Sequence, residues 1–465
     1  MKTETIAAIA TSLSESGISI IRISGDDCAA IVDKIFIAKN KKKVGEFKSH
    51  TIHYGHIYEN DNLIDEVLVS YFKGPNSFTA EDTVEINCHG GVIVTKKVLQ
   101  LVIKNGARLA MPGEFTKRAF LNGRIDLTKA EAVMDIIHAD NEFALQLGMK
   151  QLKGSISKKV HEIREKLIFE IAFIESALDD PEHISLDGYL DKLESTVKDL
   201  LVELKRMESS ADNGKIIKQG IQTVIVGKPN AGKSSFLNLL LGEEKAIVTD
   251  IAGTTRDILE DYVKIDDISF RVIDTAGIRR TEDVVEKIGV SKAIEYSKDA
   301  DLLLYVVDSS VLLDDNDIEI IKMTSGKKMI VLLNKSDLDS VIELEDVEKL
   351  LIEHNHSKED IRLLKISAKE NIGLDKFESI AKEMFFHGEI QIQDEVMITS
   401  MRQKEAVIEA INSLDLVYDG IMNCMPEDFL TIDLMNAYTS LGRIIGEEIG
   451  EDLVNEIFSK FCMGK

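Results

Sequence analysis

The stretch Gly227-Lys228-Pro229-Asn230-Ala231-Gly232-Lys233-Ser234, which directly follows the apolar run Thr223–Val226, constrains this chain more than any other. A strand that runs into GxxxxGK[ST] and then a helix is a phosphate-binding loop. Its glycines let backbone N–H groups wrap phosphate oxygens, and the helix behind turns its positive end toward them. Lys233 is placed to reach β- and γ-phosphates, and Ser234 to hold Mg²⁺. Asn230, Ala231, Gly232 and Ser235 belong to the same nucleotide cradle.

Around that loop, apolar β-rich runs (Gln222–Val226, Phe270–Ile273, Leu302–Val307, Met329–Leu333, Leu363–Ile366) alternate with helical stretches, as in βαβ units on a parallel sheet. Residues 216–383 therefore form an α/β domain. Three further segments fall at predicted strand ends in order. Asp274-Thr275-Ala276-Gly277 puts Asp274 near the metal and the Gly277 amide near the γ-phosphate. In Asn334-Lys335-Ser336-Asp337, a fixed carboxylate at Asp337 can accept from guanine N1–H and the 2-amino group, which adenine cannot supply. Ser367-Ala368-Lys369 supports the base. Between loop and metal aspartate, Thr249–Asp257 (TDIAGTTRD) suits a switch that closes on γ-phosphate and Mg²⁺. The combination predicts a guanine-nucleotide-binding domain. One position is out of keeping: Ile278 stands where a Gln would orient the attacking water, and an alkyl group cannot do so. Glu282, Asp283 and Glu286 are the acids just downstream that could hold that water, with a bound cation neutralising the transferring phosphoryl group.

The remaining residues follow two other patterns. With 465 residues the chain exceeds one core, so two to four domains are expected. Residues 1–118 mix short β-branched runs (Ile18–Ile23, Glu66–Tyr71) with Gly turns and a helical stretch near Thr95–Asn105, an α+β domain. Residues 119–215 and 384–465 are helical. Leu145, Met149, Leu152, Ile156, Val160, Ile163, Leu167, Ile171 and Ile174 recur at steps of three or four, predicting one face of a single long helix. Ala406, Val407, Ile411 and Leu414 repeat the pattern near the end. Five prolines and no tryptophan agree with long helices. The architecture is a multidomain α/β plus α chain: an N-terminal α+β domain, then a helical domain holding an inserted P-loop domain. The four cysteines, Cys28, Cys88, Cys424 and Cys462, lie far apart with no CxxC pair, and no run approaches a membrane span, so a reduced cytosolic protein is expected. A net charge of −25 argues against non-specific nucleic-acid binding.

The order of parts resembles one family over residues 1 to 465, the tRNA modification GTPase MnmE (TrmE) family. The resemblance rests on the Pro-Asn pair within Gly227–Ser235, on TDIAGTTRD, on the inserted G domain, and on Phe461-Cys462-Met463-Gly464-Lys465, which is similar to an FCIGK ending. It also rests on Ile20–Gly25, on Gly74–Thr79 (GPNSFT) and on Pro112–Phe120 (PGEFTKRAF). It implies a K⁺-activated GTPase homodimer that modifies C5 of the wobble uridine of certain tRNAs with an FAD-dependent partner, MnmG (GidA), as a heterotetramer. It implies that Asn230, Thr249, Ile251 and Thr254 coordinate K⁺, that Ser234 and Thr255 hold Mg²⁺, and that Glu286 positions the water. It further implies that the N-terminal domain dimerises and binds a tetrahydrofolate derivative, in the 5-formyl or 5,10-methylene form, through Arg22, Glu85, Arg124 and the terminal Lys465. Arg124 stands where the family often has Lys, which keeps the charge but changes the contact geometry. Cys462 in the tail is a candidate catalytic residue near the folate, as nucleophile or general acid.

A competing expectation is a regulatory GTPase, such as a ribosome-assembly switch, whose N-terminal domain only docks a partner; nucleotide motifs alone do not separate the two. The acidic balance then argues against self-sufficient tRNA binding rather than against tRNA as substrate.

Overall fold

The computed structural model describes residues 4–186, 188–242, 260–265, 268–273, 300–386, 396–447, 450–459, 461 and 464. The chain divides into two compact units. One comprises Met1–Met134, Gln151–Ser195 and Asn412–Lys465; the other comprises Asp135–Lys150 and Thr196–Ile411.

The first unit is built on a seven-stranded sheet. Its strands are β1 (Ile6–Ile9), β2 (Ser16–Ser24), β3 (Phe36–Ala38), β4 (Thr51–Glu59), β5 (Asn62–Phe72), β6 (Thr83–Gly90) and β7 (Arg108–Leu109), in the order β3-β4-β5-β6-β2-β1-β7. All neighbours are antiparallel except β1 and β7. The period-two alternation of β2 and β6 sends Ile21, Ile23, Val84 and Ile86 into a core shared with Val98, Leu101 and Val102 of a helix. That helix is α2 (Val92–Lys104), which follows the short α1 (Cys28–Val32). The same alternation sends Arg22 and Glu85 to the opposite face, where the register sets them directly across from each other. Cys28 and Cys88 are buried, and burial pushes both thiols up, Cys28 to about 12, which makes them poor nucleophiles.

Helix α3 (Glu114–Leu121) is held to the sheet by charge. Glu114 accepts a bidentate pair from Arg108 (2.6 and 2.8 Å) and a third bond from Arg118 (3.1 Å), while Arg118 also reaches Glu81 (2.9 Å). Gly113, at φ +67°, begins this helix; a Cβ there would lie 2.4 Å from the Phe458 carbonyl, so only glycine admits the C-terminal helix so close.

The apolar stripe predicted as one helix is two. After α4 (Leu127–Ile137), α5 (Glu142–Leu152) ends and α6 (Ser155–Asp179) begins, with Gly154 between them at φ +87°, a value that no right-handed helix contains. Ile156, Val160, Ile163, Leu167, Ile171 and Ile174 on α6 are buried, whereas Leu145 and Met149 on α5 are 42% and 41% exposed.

In the second unit, after α7 (Tyr189–Gln219), come β8 (Ile221–Val226), α8 (Lys233–Gly242), β9 (Glu260–Ile265), β10 (Ile268–Ile273), β11 (Leu302–Asp308), α9 (Asp315–Met323), β12 (Met329–Asn334), α10 (Leu344–Glu353), β13 (Ile361–Lys365) and α11 (Leu374–Phe386). The sheet order is β13-β12-β11-β8-β10-β9, parallel except for β9 against β10. Both faces are covered, as continuous runs such as Leu302–Val307 require. On one side Phe236, Leu240, Phe377 and Ala381 pack on Leu304 and Leu332; on the other, Ile320, Ile321, Val347 and Leu351 pack on Tyr305 and Val331. This doubly wound domain, the α+β sheet and the helices together are the multidomain α/β plus α architecture expected from the sequence.

The chain ends with α12 (Met401–Met422), α13 (Glu427–Ile445) and α14 (Glu451–Ser459); Ala406, Val407, Ile411 and Leu414 are all buried. Helix α13 packs along α6, and α14 packs on α3. Among the described residues, no helix is long and apolar enough to cross a membrane.

The Glu114 cluster generates a prediction. Burial alone would raise the Glu114 carboxyl, but Arg108, the Met111 amide and Arg118 overcome this and hold it at about 2. Its folded-state pKa lies below the unfolded value near 4.3, so the cluster stabilises fully above about pH 4.5 and loses that contribution as the pH falls toward 2. Glu114→Gln is expected to cost about 2–3 kcal/mol at neutral pH. Chemical denaturation should show the gap between variant and wild type closing below pH 4.5; a gap independent of pH would contradict the assignment.

Candidate functional site

The phosphate loop leaves β8 at a bend that only glycine fits. Gly227 has φ +148°, and a Cβ there would meet the Val306 carbonyl at 2.3 Å. Asn230 takes a left-handed conformation at φ +61° with its side chain exposed. Gly232, at φ +103°, lies against Asn334, whose Nδ2 would be 2.0 Å from an added Cβ. Lys233 opens α8 and curls back over the loop, its Nζ donating to the carbonyls of Gly227 (2.8 Å) and Lys228 (2.7 Å). Ser234 and Ser235 are exposed in the first turn of α8, where a metal-bound phosphate would sit against free N–H groups.

Asn334, only 2% exposed at the end of β12, joins this loop to the base side. Its Nδ2 donates to the Ala231 carbonyl (2.9 Å), and its Oδ1 accepts from the Ala368 amide (3.1 Å). Lys335, at φ +63°, reaches across to Asp308 (2.5 Å). Burial would raise Asp308, but bonds from Lys335 and Ser310 outweigh it and hold the carboxyl below its ordinary range. Asp337 is exposed, and the buried Ser367 hydroxyl donates to it (2.6 Å). That bond, foremost, keeps Asp337 below the usual carboxylate range and thus ionised, an acceptor for two donors at once. Lys369 is exposed beside Glu370. The structure thus brings together Asn230, Ala231, Gly232, Lys233, Ser234, Ser235, Asn334, Lys335, Asp337, Ser367, Ala368 and Lys369 at the carboxyl ends of β8, β12 and β13. Thr249, Ile251, Thr254, Thr255, Asp274, Gly277, Ile278, Glu282, Asp283 and Glu286 lie outside the described residues.

Two supports were not anticipated from sequence. Asp308 is one; its only sequence signal is its place at the end of β11, in register with Asn334. The other is Lys228, whose Nζ reaches Asp317 (2.6 Å) and Asp314 (3.0 Å) on and beside α9, while the Tyr305 hydroxyl donates to Asp317 (2.8 Å). Burial would lower Lys228, but the two carboxylates outweigh it and keep it charged, so the second loop residue is fastened to the start of α9.

A second cluster lies on the outer face of the N-terminal sheet. Arg22 Nε donates to Glu85 (2.8 Å), with both side chains under 20% exposed, and Arg22 Nη1 donates to the Gly464 carbonyl (3.3 Å). Phe78, within GPNSFT, lies under both Arg22 and Arg124, each guanidinium 5.2 Å from its ring, and its carbonyl accepts from Arg124 (2.7 Å). In the sequence Phe78 stands out only as part of that GPNSFT segment. Gly464, at φ +91°, fits under the Ile9 carbonyl where a Cβ would come within 2.4 Å. Arg22, Glu85, Arg124 and the C-terminal tail therefore meet, although Cys462 and Lys465 themselves lie outside the described residues. Among the described residues no group of three or more His, Cys, Asp or Glu could hold a metal ion.

The Asn334 geometry predicts that Asn334→Ala, which strands the buried Ala231 carbonyl and the half-buried Ala368 N–H, weakens GTP binding by about tenfold or more. Titration with a fluorescent GTP analogue checks this; wild-type affinity would contradict it.

Known proteins resemble this chain over its whole length. Residues 5–124 match the family model for the GTP-binding protein TrmE N-terminus, and residues 127–462 match that for the MnmE helical domain. The tRNA modification GTPase MnmE of Lachnoclostridium phytofermentans is 56% identical over 466 residues, covering 100% of both chains, and that of Alkaliphilus oremlandii is 45% identical over 468 residues, covering 99% of both. Among solved structures, Era of Aquifex aeolicus matches at 28% identity and a TM-score of 0.27, covering 42% of this chain and 67% of that one, too little likeness to inform the fold. By its full-length likeness and its two matching domain models, the chain belongs to the tRNA modification GTPase MnmE (TrmE) family.

Proposed function

We propose that this chain is a K⁺-activated GTPase that, with the FAD-dependent partner MnmG, modifies C5 of the wobble uridine of certain tRNAs to an aminomethyl or carboxymethylaminomethyl form. The observation that carries this beyond a nucleotide switch is the convergence of Arg22, Glu85, Arg124 and the C-terminal tail, a set that a docking domain has no need to assemble.

On the nucleotide side, Lys233 meets the β- and γ-phosphates, Ser234 and Thr255 hold Mg²⁺, and Asp274 and the Gly277 amide complete the γ-phosphate pocket. The exposed Asn230 side chain, with Thr249, Ile251 and Thr254, holds K⁺, which supplies the charge neutralisation that an arginine finger provides elsewhere. Glu286 positions the water that Ile278 cannot. Asn334 and Asp337 select guanine, with Lys335, Ser367, Ala368 and Lys369 around the base.

The cluster on the N-terminal sheet fits a folate derivative by its chemistry. Arg22, Arg124 and Lys465 offer cations to a carboxylate tail, Glu85 offers acceptors to a pterin donor edge, and Phe78 offers a ring face. A tetrahydrofolate derivative, when bound, supplies the one-carbon unit. Residues 1–118 serve as the folate-binding and dimerisation domain, residues 119–215 and 384–465 as the helical scaffold, and residues 216–383 as the GTPase domain. Cys462 is the tail residue we assign as nucleophile or general acid. The protein works in the cytoplasm as a homodimer, with MnmG carrying much of the tRNA contact that a chain of net charge −25 is ill suited to make.

Turnover should be fast in K⁺ and at least about tenfold slower in Na⁺, which is too small for the same oxygen cage. Glu286→Gln should lower kcat while leaving GTP affinity near wild type, because water positioning acts in the transition state. Equal rates in the two salts would sink the cation assignment. In equilibrium dialysis, 5-formyltetrahydrofolate should bind wild type, and Arg22→Gln should weaken it about tenfold or more, the loss of one charge-assisted contact. No binding to the wild type would favour the regulatory switch.

A further inference from the structure

The hairpin of α12 and α13 carries a surface that neither the nucleotide site nor the Arg22 cluster uses. The turn is tight: the Met425 amide bonds the Gly420 carbonyl (2.9 Å), and a Cβ on Gly420 would lie 2.6 Å from Leu430. Leu430, Leu434, Ala437 and Leu441 form the buried side of α13, which packs along α6. The opposite side is apolar as well. Phe429 is 50% exposed and Ile432 58%, with Met435 one further step along the same face and Leu416, Met422 and Met425 exposed on the other arm and the turn. An amphipathic helix on a protein surface presents polar residues there; a run of Phe, Ile and Met is instead the composition of an interaction surface.

Charge says what covers it. From Asn412 to Gly442 the chain has no Lys, Arg or His, but it has Asp415, Asp419, Glu427, Asp428 and Asp433. Asp419 and Asp428 are exposed beside the apolar residues, and Glu427 and Asp433 are half-buried. This rim repels nucleic acid and anionic lipid. It also opposes a second copy of this chain, because a two-fold contact would set the same acids against themselves. Three methionines give a surface that repacks around varied side chains, as grooves for amphipathic helices do.

We propose that the outer face of the α12–α13 hairpin docks a basic amphipathic helix of a partner protein, whose apolar stripe sits on Phe429, Ile432 and Met435 and whose Lys or Arg residues meet Asp419, Asp428 and Asp433. The proposal rests on this surface alone and stands or falls independently of the folate and cation readings.

The test uses the full chain and two fluorescein-labelled synthetic peptides, one with leucines at helical period and lysines elsewhere, the other with glutamates in place of the lysines. In fluorescence anisotropy the lysine peptide should bind saturably, and its affinity should fall about tenfold between about 50 and about 300 mM NaCl. Phe429→Ser with Ile432→Ser should weaken it about tenfold or more, as loss of two central anchors does. Asp419→Asn, Asp428→Asn and Asp433→Asn together should remove most of the salt dependence, and both variants should keep wild-type circular dichroism and GTP turnover. Equal binding of the glutamate peptide, or wild-type affinity in the Phe429/Ile432 variant, would overturn the proposal. So would a changed sedimentation coefficient of that variant alone, which would assign the face to a second copy, or co-sedimentation of the wild type with phosphatidylcholine vesicles, which would assign it to lipid.

Discussion

Asn334 commits its whole side-chain amide to backbone: Nδ2 to the Ala231 carbonyl in the phosphate loop, Oδ1 to the Ala368 amide in the loop that supports the base. The residue is buried, and its bond to the Ala231 carbonyl forms out of reach of water, so losing it leaves a polar group unsatisfied. Two ligand-binding loops on different strands are thereby set at one spacing, that between a nucleotide's phosphates and its base. Gly232 has no Cβ because Asn334 occupies that space, and Ser367 next door keeps Asp337 ionised and aimed. Under the proposed function, guanine selection and phosphate binding become one mechanical problem, met by one side chain at the end of β12.

The first unit uses a different device. A sheet strand has only two faces, so core packing on one side dictates what the other side shows. Burial of Ile21, Ile23, Val84 and Ile86 leaves Arg22 and Glu85 outward and opposed, and the charged fastening of α3 by Glu114 and Arg118 places Phe115 and Arg124 around them. The C-terminal tail reaches the same face because Gly113 and Gly464 lack the Cβ atoms that would block it. A cationic pair, a carboxylate and an aromatic ring are thus gathered from sequence positions as remote as 22 and 464.

Much of this was visible in the sequence, for reasons that can be named. The continuous apolar runs announced strands covered on both faces, and the glycines of the phosphate loop announced turns that only they allow. The break between α5 and α6 was not visible, because a glycine inside an apolar stripe is tolerated in a helix and the left-handed φ of Gly154 is set by surroundings rather than by local pattern. Nor was the role of Asp308 or Asp317: an acid near a strand or helix end is an ordinary residue until the fold puts Lys335 or Lys228 beside it. The pairing of Arg22 with Glu85 depends on a register between strands more than sixty residues apart, which no local spacing encodes. Their gathering with Arg124 was expected only through the family resemblance.

The net charge of −25 takes its meaning from this arrangement. Under the proposed function the chemistry lies in a guanine site and a cluster of a few cations on a sheet face, and the acidic balance is the reason to assign RNA contact to a partner. The claim that these two sites serve uridine modification is tested most directly by the nucleoside profile of tRNA from cells lacking this gene, measured by mass spectrometry. Loss of wobble-uridine C5 modifications, restored by the wild-type chain but not by Arg22→Gln, is the predicted result. An unchanged profile would contradict the account and leave a GTPase switch in its place.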